Sequence, residues 1–191
     1  MTHHPNVKVF AFVGLPGVGK SSAVDYLTEK DYPKVYFGGV IVQAVKDAGL
    51  DLNPENEQMI REKLRVEEGK DVVVNRIVKQ INDLINAGQH RIIADGLYSW
   101  TEYKVMKREF PGELTTIAIV APKHLRHARL TKRPIRPLTQ QQAEERDWAE
   151  IENLEKGGPI AIADYFVTND KDLDHLHQQI DAIAEKEEFY R

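Results

Sequence analysis

Short apolar runs alternate with longer segments of helical spacing along most of the chain. The apolar runs predict strands at residues 7–13, 34–37, 92–95, 114–120 and 165–167, with the glycines at 38 and 39 ending the second strand. Apolar residues at helical spacing predict helices at 21–29, from 53, at 71–88, at 100–110, from 122 and at 173–184. Such alternation favours right-handed crossovers between parallel strands. The pattern therefore predicts one α/β domain over residues 1–191, with a five-stranded parallel sheet covered on both faces.

The segment between the first predicted strand and the first predicted helix matches a phosphate-binding loop. It has two glycines with four residues between them, followed by Lys-Ser. Glycine lets the backbone approach a phosphate closely, successive backbone N–H groups can then point at the anion, and the helix adds its positive end. Lys20 is expected to reach the β- and γ-phosphates, and Ser21 to ligate Mg²⁺. The predicted nucleotide-binding residues are Gly14, Leu15, Pro16, Gly17, Val18, Gly19, Lys20, Ser21 and Ser22.

Asp95 ends the third predicted strand and is followed by a glycine. In a parallel sheet, ligands gather at the carboxyl ends of the strands, where the phosphate-binding loop also lies. A carboxylate at that edge can hold Mg²⁺ beside Ser21. Since Asp-Gly is also a common turn pair, Asp95 could instead only start the next turn. We favour the metal role.

A basic stretch follows the fourth predicted strand. No Asp or Glu occurs from residue 122 to 142, whereas six Lys and Arg residues do, and Pro134 and Pro137 predict a short lid at about 132–146. Arginine can neutralise the negative charge that spreads over a phosphoryl group during transfer. Most surface arginines are merely solvated, so only some of these are expected to bind phosphate. Arg129, Arg133 and Arg146 are the predicted catalytic arginines, together with Lys20 and Asp95.

Arg61 and Arg65 are one helical turn apart in the segment at about 38–70, which we expect to bind the phosphoryl acceptor. Two interpretations remain open for them. They could bind a phosphate of the acceptor, or they could pair with nearby glutamates on a solvated helix face.

Composition limits the classes of binding partner and the cellular compartments that the sequence favours. With 26 basic and 30 acidic residues the net charge is −4, so the molecule as a whole does not attract polyanions. This charge and the scattered aromatic residues argue against nucleic acid as a ligand. No apolar run approaches the length of a membrane span, and residues 1–6 do not resemble a secretory signal. These features and the absence of cysteine predict a cytoplasmic protein.

Together these motifs resemble the nucleoside monophosphate kinase group of P-loop proteins, and within it adenylate-kinase-related proteins and dephospho-coenzyme A kinases. Asp95-Gly96 resembles the Asp-Gly after the third strand of adenylate kinases, and residues 146–150 resemble the helix after their lid. Residues 163–169 resemble the last strand of dephospho-coenzyme A kinases. The resemblance implies a three-layer P-loop NTPase fold with a helical acceptor-side insertion and a short lid. It also implies ATP as donor, Mg²⁺ as cofactor and a nucleotide-like small molecule as acceptor.

The acceptor side departs from both kinase types. Adenylate kinases carry Gly-Asp and an arginine after the second strand, where this chain has Gly38-Gly39, and an arginine after Asp-Gly, where it has Leu97-Tyr98-Ser99. Dephospho-coenzyme A kinases carry an aspartate after the second strand, which suits transfer to a hydroxyl because a carboxylate can accept the proton. The uncharged stretch here favours a phosphate acceptor. Transfer to a ribose hydroxyl, and a nucleotide-binding regulatory switch without kinase activity, are the alternatives; the acceptor, the choice of ATP or GTP and the oligomeric state are left open.

Overall fold

Five parallel strands form the central sheet of the protein. The computed structural model describes residue 4 and residues 6–190; the remaining residues, which include most of the segment assessed above for a secretory signal, lie outside that description. The strands are β1 (Lys8–Val13), β2 (Lys34–Tyr36), β3 (Arg91–Asp95), β4 (Leu114–Val120) and β5 (Tyr165–Thr168). Their order across the sheet is β2-β3-β1-β4-β5, with every pairing parallel. The predicted five-stranded parallel sheet is confirmed.

Helices cover both faces of this sheet. They are α1 (Lys20–Thr28), α2 (Phe37–Asp47), α3 (Pro54–Glu68), α4 (Val72–Asn86), α5 (Trp100–Glu109), α6 (Lys123–Lys132), α7 (Gln140–Glu152), α8 (Gly157–Ala161) and α9 (Leu173–Lys186). Among the described residues, none of these helices combines the length and the apolar character that a membrane crossing requires.

Alternate side chains of each central strand enter two separate cores. On β1, Val9, Ala11 and Val13 pack with α4, α5 and the start of α2, whereas Phe10 and Phe12 pack with α1 and α9. This period of two is what a strand buried on both faces requires. The sheet is thereby fixed between two helical layers, and the carboxyl ends of its strands meet at one edge.

Gly38 and Gly39 follow the second strand, as predicted, but the helix that contains them was not predicted. β2 ends at Tyr36, and the two glycines lie inside the first turn of α2. Each glycine costs a helix about 1 kcal/mol relative to alanine, but the buried apolar stripe of α2 compensates, since it packs against α3 and α4. A Cβ atom at Gly38 would lie 2.5 Å from the Tyr36 hydroxyl, so glycine lets that ring fold over the helix.

Helix α8 was not predicted from the sequence. It is only five residues long, and its Gly-Gly-Pro start resembles a turn. Its position comes from packing: a Cβ atom at Gly158 would lie 2.8 Å from the Trp100 ring, so only glycine permits this approach to α5. The predicted lid region contains the end of α6 at Lys132, an irregular segment and the start of α7, which Thr139 caps.

The last described residues close the core on the α1–α9 side. Phe189 is fully buried and stacks on Phe10, with ring centroids 4.0 Å apart, and it also contacts Tyr32. Phe166 offers a contrast, because this phenylalanine on the edge strand β5 is 56% exposed. The two positions allow the same substitution to be compared in a buried and an exposed setting.

We expect Phe189→Ala to lower the free energy of unfolding by about 3–5 kcal/mol, because it leaves a cavity beside Phe10. Phe166→Ala, the matched control, should lower it by less than about 1 kcal/mol. Urea unfolding followed by circular dichroism measures both values. Equal losses in the two variants would contradict the packing described here.

Candidate functional site

The predicted phosphate-binding loop joins β1 to α1 in a tight turn. Gly17 and Gly19 have φ angles of 81° and 91°, which favour glycine. Larger residues would also clash there, because a Cβ atom would lie 2.6 Å from the Arg126 carbonyl at Gly17 and 2.2 Å from the Asn169 amide at Gly19. The glycines are therefore required both by the backbone conformation and by the groups packed against the loop.

Side chains from two other elements hold the loop from outside. The Arg126 guanidinium of α6 donates to the Pro16 carbonyl at 3.0 Å, and the Asn169 amide donates to the Val18 carbonyl at 2.7 Å. Arg129 donates to the Asn169 carbonyl at 3.0 Å and to the Gly17 carbonyl at 3.5 Å. Because carbonyls on this side of the turn are bound by α6 and by the residue after β5, the loop has one well-defined conformation.

Arg126 is also part of a buried cluster that joins α6 to α7. Its guanidinium makes a two-pronged ion pair with Asp147, at 2.8 and 2.7 Å, and His127 Nε2 lies 3.0 Å from the same carboxylate. Burial alone would raise the pKa of Asp147, but the hydrogen bonds from Arg126 and His127 outweigh it and lower that pKa below its ordinary value. The same guanidinium thus fixes both the phosphate-binding loop and α7.

Lys20 and Asp95 meet at the carboxyl edge of the sheet. Lys20 begins α1 and Asp95 ends β3, and their side chains form an ion pair. The Tyr98 ring lies next to them, with its centroid 5.8 Å from the Lys20 ammonium. Burial raises the pKa of Tyr98, and the neighbouring Tyr36 and Asp95 raise it further, so this phenol stays protonated.

These elements surround an open cavity of about 710 Å³. Residues 14–21 line one side of it, including the exposed Ser21, whereas Ser22 does not line it. Asp95, Arg129, Arg133 and Arg146 complete the set of predicted site residues that line this cavity. Burial lowers the pKa of Arg133, as do the nearby charges of Arg146 and Arg136.

The donor set around the cavity fits Mg²⁺ bound together with a nucleotide. Ser21 and Asp95 offer a hydroxyl and a carboxylate oxygen, which are ligands that Mg²⁺ prefers, and Mg²⁺ in nucleotide sites commonly takes only one or two protein ligands. Within the described part of the chain, no group of three or more His, Cys, Asp and Glu side chains could hold a metal by itself. The residues therefore suit a metal that substrate phosphates help to bind.

Arg61 and Arg65 do not line this cavity. Both lie on α3, where Arg61 is half-buried and Arg65 is exposed beside a second cavity of about 490 Å³. That cavity lies between α3, α4, the start of α5 and the segment after α7. The assignment of Arg61 and Arg65 to acceptor binding stays a prediction. For it to hold, either the acceptor must extend from the cavity to α3 or α3 must move towards the cavity.

Sequence reasoning missed several side chains on the cavity wall. Lys156, immediately before α8, is buried, forms an ion pair with Glu150 of α7 and lies 4.7 Å from the Tyr98 ring centroid. Arg146 donates to the other oxygen of Glu150 at 3.3 Å. Burial lowers the pKa of Lys156, the pairing with Glu150 opposes this, and Lys20 and Arg146 lower it further. No local motif marks Lys156, because the packing of α8 on α5 brings it to the site.

Comparisons with known proteins show the family to which the chain belongs. Residues 11–155 match the model of a family described as AAA domain. A UPF0200 protein of Thermococcus onnurineus is 30% identical over 181 residues, which cover 93% of this chain and 97% of that protein.

Two solved structures, one of them a kinase, share this fold. TT1252 from Thermus thermophilus has a TM-score of 0.67 at 15% identity, covering 97% of this chain and 98% of its own. A shikimate kinase from Bacteroides thetaiotaomicron has a TM-score of 0.58 at 13% identity, covering 95% and 98%. The resemblance to the P-loop kinase group and the three-layer fold are thus confirmed. The chain belongs to the AAA domain family of P-loop NTPases and to the UPF0200 proteins.

Proposed function

We propose that this protein is a small-molecule kinase that transfers the γ-phosphoryl group of Mg·ATP to a nucleotide-like acceptor, with a nucleoside monophosphate as the best choice. The observation that carries the proposal is a single cavity lined by the phosphate-binding loop with Lys20, by Asp95, by Arg129 of α6 and by two arginines of the lid region, Arg133 and Arg146. A glycine-rich turn alone could bind any phosphate. Arginines that line the same cavity suit a reaction in which charge develops on a transferred group.

The donor end of the proposed site uses the loop and the start of α1. Loop carbonyls are bound from outside by α6 and Asn169, which supports amide groups directed at the triphosphate. Lys20 would bind the β- and γ-phosphates, while Ser21 and Asp95 would hold Mg²⁺. The metal, when bound, neutralises charge on the phosphate oxygens.

The transfer itself needs positioning and charge stabilisation. The bond between the γ-phosphorus and the bridging oxygen of ADP breaks, and its electron pair stays on that oxygen. An acceptor oxygen forms the new bond to the same phosphorus. Arg129, Arg133 and Arg146 would offset charge on the three equatorial oxygens and help to exclude water from the site.

The charged groups favour a phosphate acceptor over a ribose hydroxyl. A hydroxyl must lose a proton during transfer, and a free carboxylate beside it would serve as the base. The three carboxylates on the cavity wall all have cationic partners: Asp95 pairs with Lys20, Glu150 with Lys156 and Arg146, and Asp25 with Lys34 at 3.7 Å. An ionised phosphate oxygen needs no base.

A coupled assay for ADP tests the function directly. We expect production of ADP from Mg·ATP to be stimulated by at least one of AMP, GMP, CMP and UMP, because their phosphate is already ionised. Dephospho-coenzyme A tests the alternative of transfer to a hydroxyl. Nucleotide binding with no stimulation by any acceptor would remove the kinase proposal and favour a regulatory switch, whose nucleotide-dependent association with a partner could be tested by pull-down.

Lys20→Ala should reduce turnover of ATP by at least about 100-fold, because it removes the cation that faces the phosphates. Lys79→Ala is the matched control, since Lys79 is an exposed lysine on α4 paired only with Asp83. Initial rates of ADP production, with thermal unfolding of both variants, measure the effect. Wild-type turnover in Lys20→Ala would show that the loop has been assigned wrongly.

Arg133→Ala separates charge stabilisation from loop structure. Arg133 donates to a carbonyl within the lid region, whereas Arg126 and Arg129 donate to the loop itself. We expect kcat to fall about 10²- to 10³-fold with little change in ATP affinity. Arg108→Ala, on the exposed face of α5, should leave both unchanged. Unchanged kcat in Arg133→Ala would exclude this arginine from the reaction.

A further inference from the structure

Lys156 is a buried cation on the cavity wall that the donor site described above does not use. It is only 3% exposed, yet it lines the same cavity as the phosphate-binding loop. Its ammonium and that of Lys20 both lie within 6 Å of the Tyr98 ring centroid, at 4.7 and 5.8 Å. The two lysines are close enough for the charge of Lys20 to lower the pKa of Lys156.

Burial of this lysine requires a physical explanation. Removing an ammonium from water is unfavourable, and pairing with a carboxylate rarely returns more than the cost of that desolvation. Glu150 pairs with Lys156 but is shared with Arg146, so one carboxylate faces two cations. If the position served only to pack α8 against α7, an apolar residue would serve at least as well. The arrangement leaves a net positive charge at this end of the cavity.

The charge of the whole cavity points to an anionic ligand. Six cationic side chains line it: Lys20, Lys34, Arg129, Arg133, Arg146 and Lys156. Three acidic side chains line it: Asp25, Asp95 and Glu150. The cavity therefore carries an excess of three positive charges on a chain whose net charge is −4. Such a concentration of positive charge exceeds what Mg·ATP needs, since Mg²⁺ already neutralises half of the triphosphate charge.

We propose that Lys156 and Arg146 bind the phosphate monoester group of the acceptor, beside Tyr98, with Arg146 serving both this group and the transferred phosphoryl group, so that Lys156 determines the specificity of the site for phosphorylated acceptors. This inference rests on the proposed kinase function. Arginine supplies a planar fork and lysine a compact charge, a combination that suits the several oxygens of one phosphate dianion. Glu150 holds both cations in place until the ligand shares them.

The reaction balances without a base. An ionised oxygen of the bound monoester attacks the γ-phosphorus, and the bond from that phosphorus to the bridging oxygen of ADP breaks. The electron pair leaves with ADP, and the acceptor gains a phosphoanhydride bond. No proton is released at the reacting oxygen, which agrees with a site whose carboxylates are all paired with cations.

Calorimetry on the full chain tests the site apart from turnover. The probes are AMP, GMP, CMP and UMP, each compared with its own nucleoside, in Mg²⁺ and a saturating non-hydrolysable ATP analogue. At least one monophosphate should bind more tightly than its nucleoside. For that pair, Lys156→Met should raise the Kd of the monophosphate about 10- to 100-fold, the range expected for loss of one charged hydrogen bond, and leave the Kd of the nucleoside unchanged.

Three further variants guard this test against a purely structural effect. Lys156→Arg keeps the charge and should retain much of the affinity that Lys156→Met loses. Lys104→Met, an exposed lysine on α5, is the matched control and should behave as wild type. Should Lys156→Met fail to fold, the double change Lys156→Met with Glu150→Gln removes both partners of the pair and should show the same selective loss for the monophosphate.

The outcomes separate this inference from the kinase proposal. Absence of monophosphate binding, equal binding of monophosphate and nucleoside, or equal losses for both ligands in Lys156→Met would overturn the role of Lys156. In the coupled assay, loss of Lys156 should mainly raise the KM for the monophosphate, and an unchanged KM would overturn it as well. Binding that depends on Lys156 without acceptor-stimulated ADP would instead overturn the kinase function and leave an anion site.

Discussion

The structure depends on how the phosphate-binding loop is held from outside. A turn with glycines at positive φ is a poor conformation for an isolated chain, because glycine loses more backbone entropy on ordering than any other residue. The carbonyls of Pro16 and Val18 are bound by the side chains of Arg126 and Asn169, which come from α6 and from the residue after β5. The loop is therefore ordered by tertiary contacts that form only when the sheet and α6 are in place.

Arg126 extends this constraint to the lid region. Its ion pair with Asp147 of α7 is buried, and loss of one partner of such a pair typically costs about 3–5 kcal/mol. Arg146 is the neighbour of Asp147 along the chain and lines the cavity. The Arg126 guanidinium thus connects the conformation of the loop to the position of α7. A movement of α7 therefore either moves the loop or breaks the ion pair with Asp147. The contacts of Arg126 therefore contribute both to the stability of the fold and to the geometry of the candidate site.

The sequence predicts those parts of the molecule that local signals determine. The apolar run of β1, the glycine-rich turn and the start of α1 are contiguous, so the strand, the turn and the helix could be predicted to within one residue, and residues 14–21 line one cavity. Helix α2 was not predicted, because Gly38 and Gly39 in its first turn have poor helix propensity, which the packing of α2 outweighs. Lys156 could not be found, since its position depends on Gly158 fitting under Trp100. Arg61 and Arg65 have a local pattern that suits phosphate, but α3 places them away from the cavity.

These differences follow from what each end of the proposed reaction requires. A triphosphate is bound mainly by backbone amides and one lysine, so its site can be encoded in eight consecutive residues. Acceptors differ from one kinase to another and share no group like the triphosphate. An acceptor site must therefore be assembled from side chains of separate elements. In the proposed acceptor site those elements are the segment after β3, the end of α7 and the residue before α8, which meet around Tyr98. Since none of them carries a recognisable motif, relatives of similar fold can share the donor site and differ in the acceptor. Under the proposed function, specificity for the acceptor therefore depends on the residues around α8 of this chain rather than on the phosphate-binding loop.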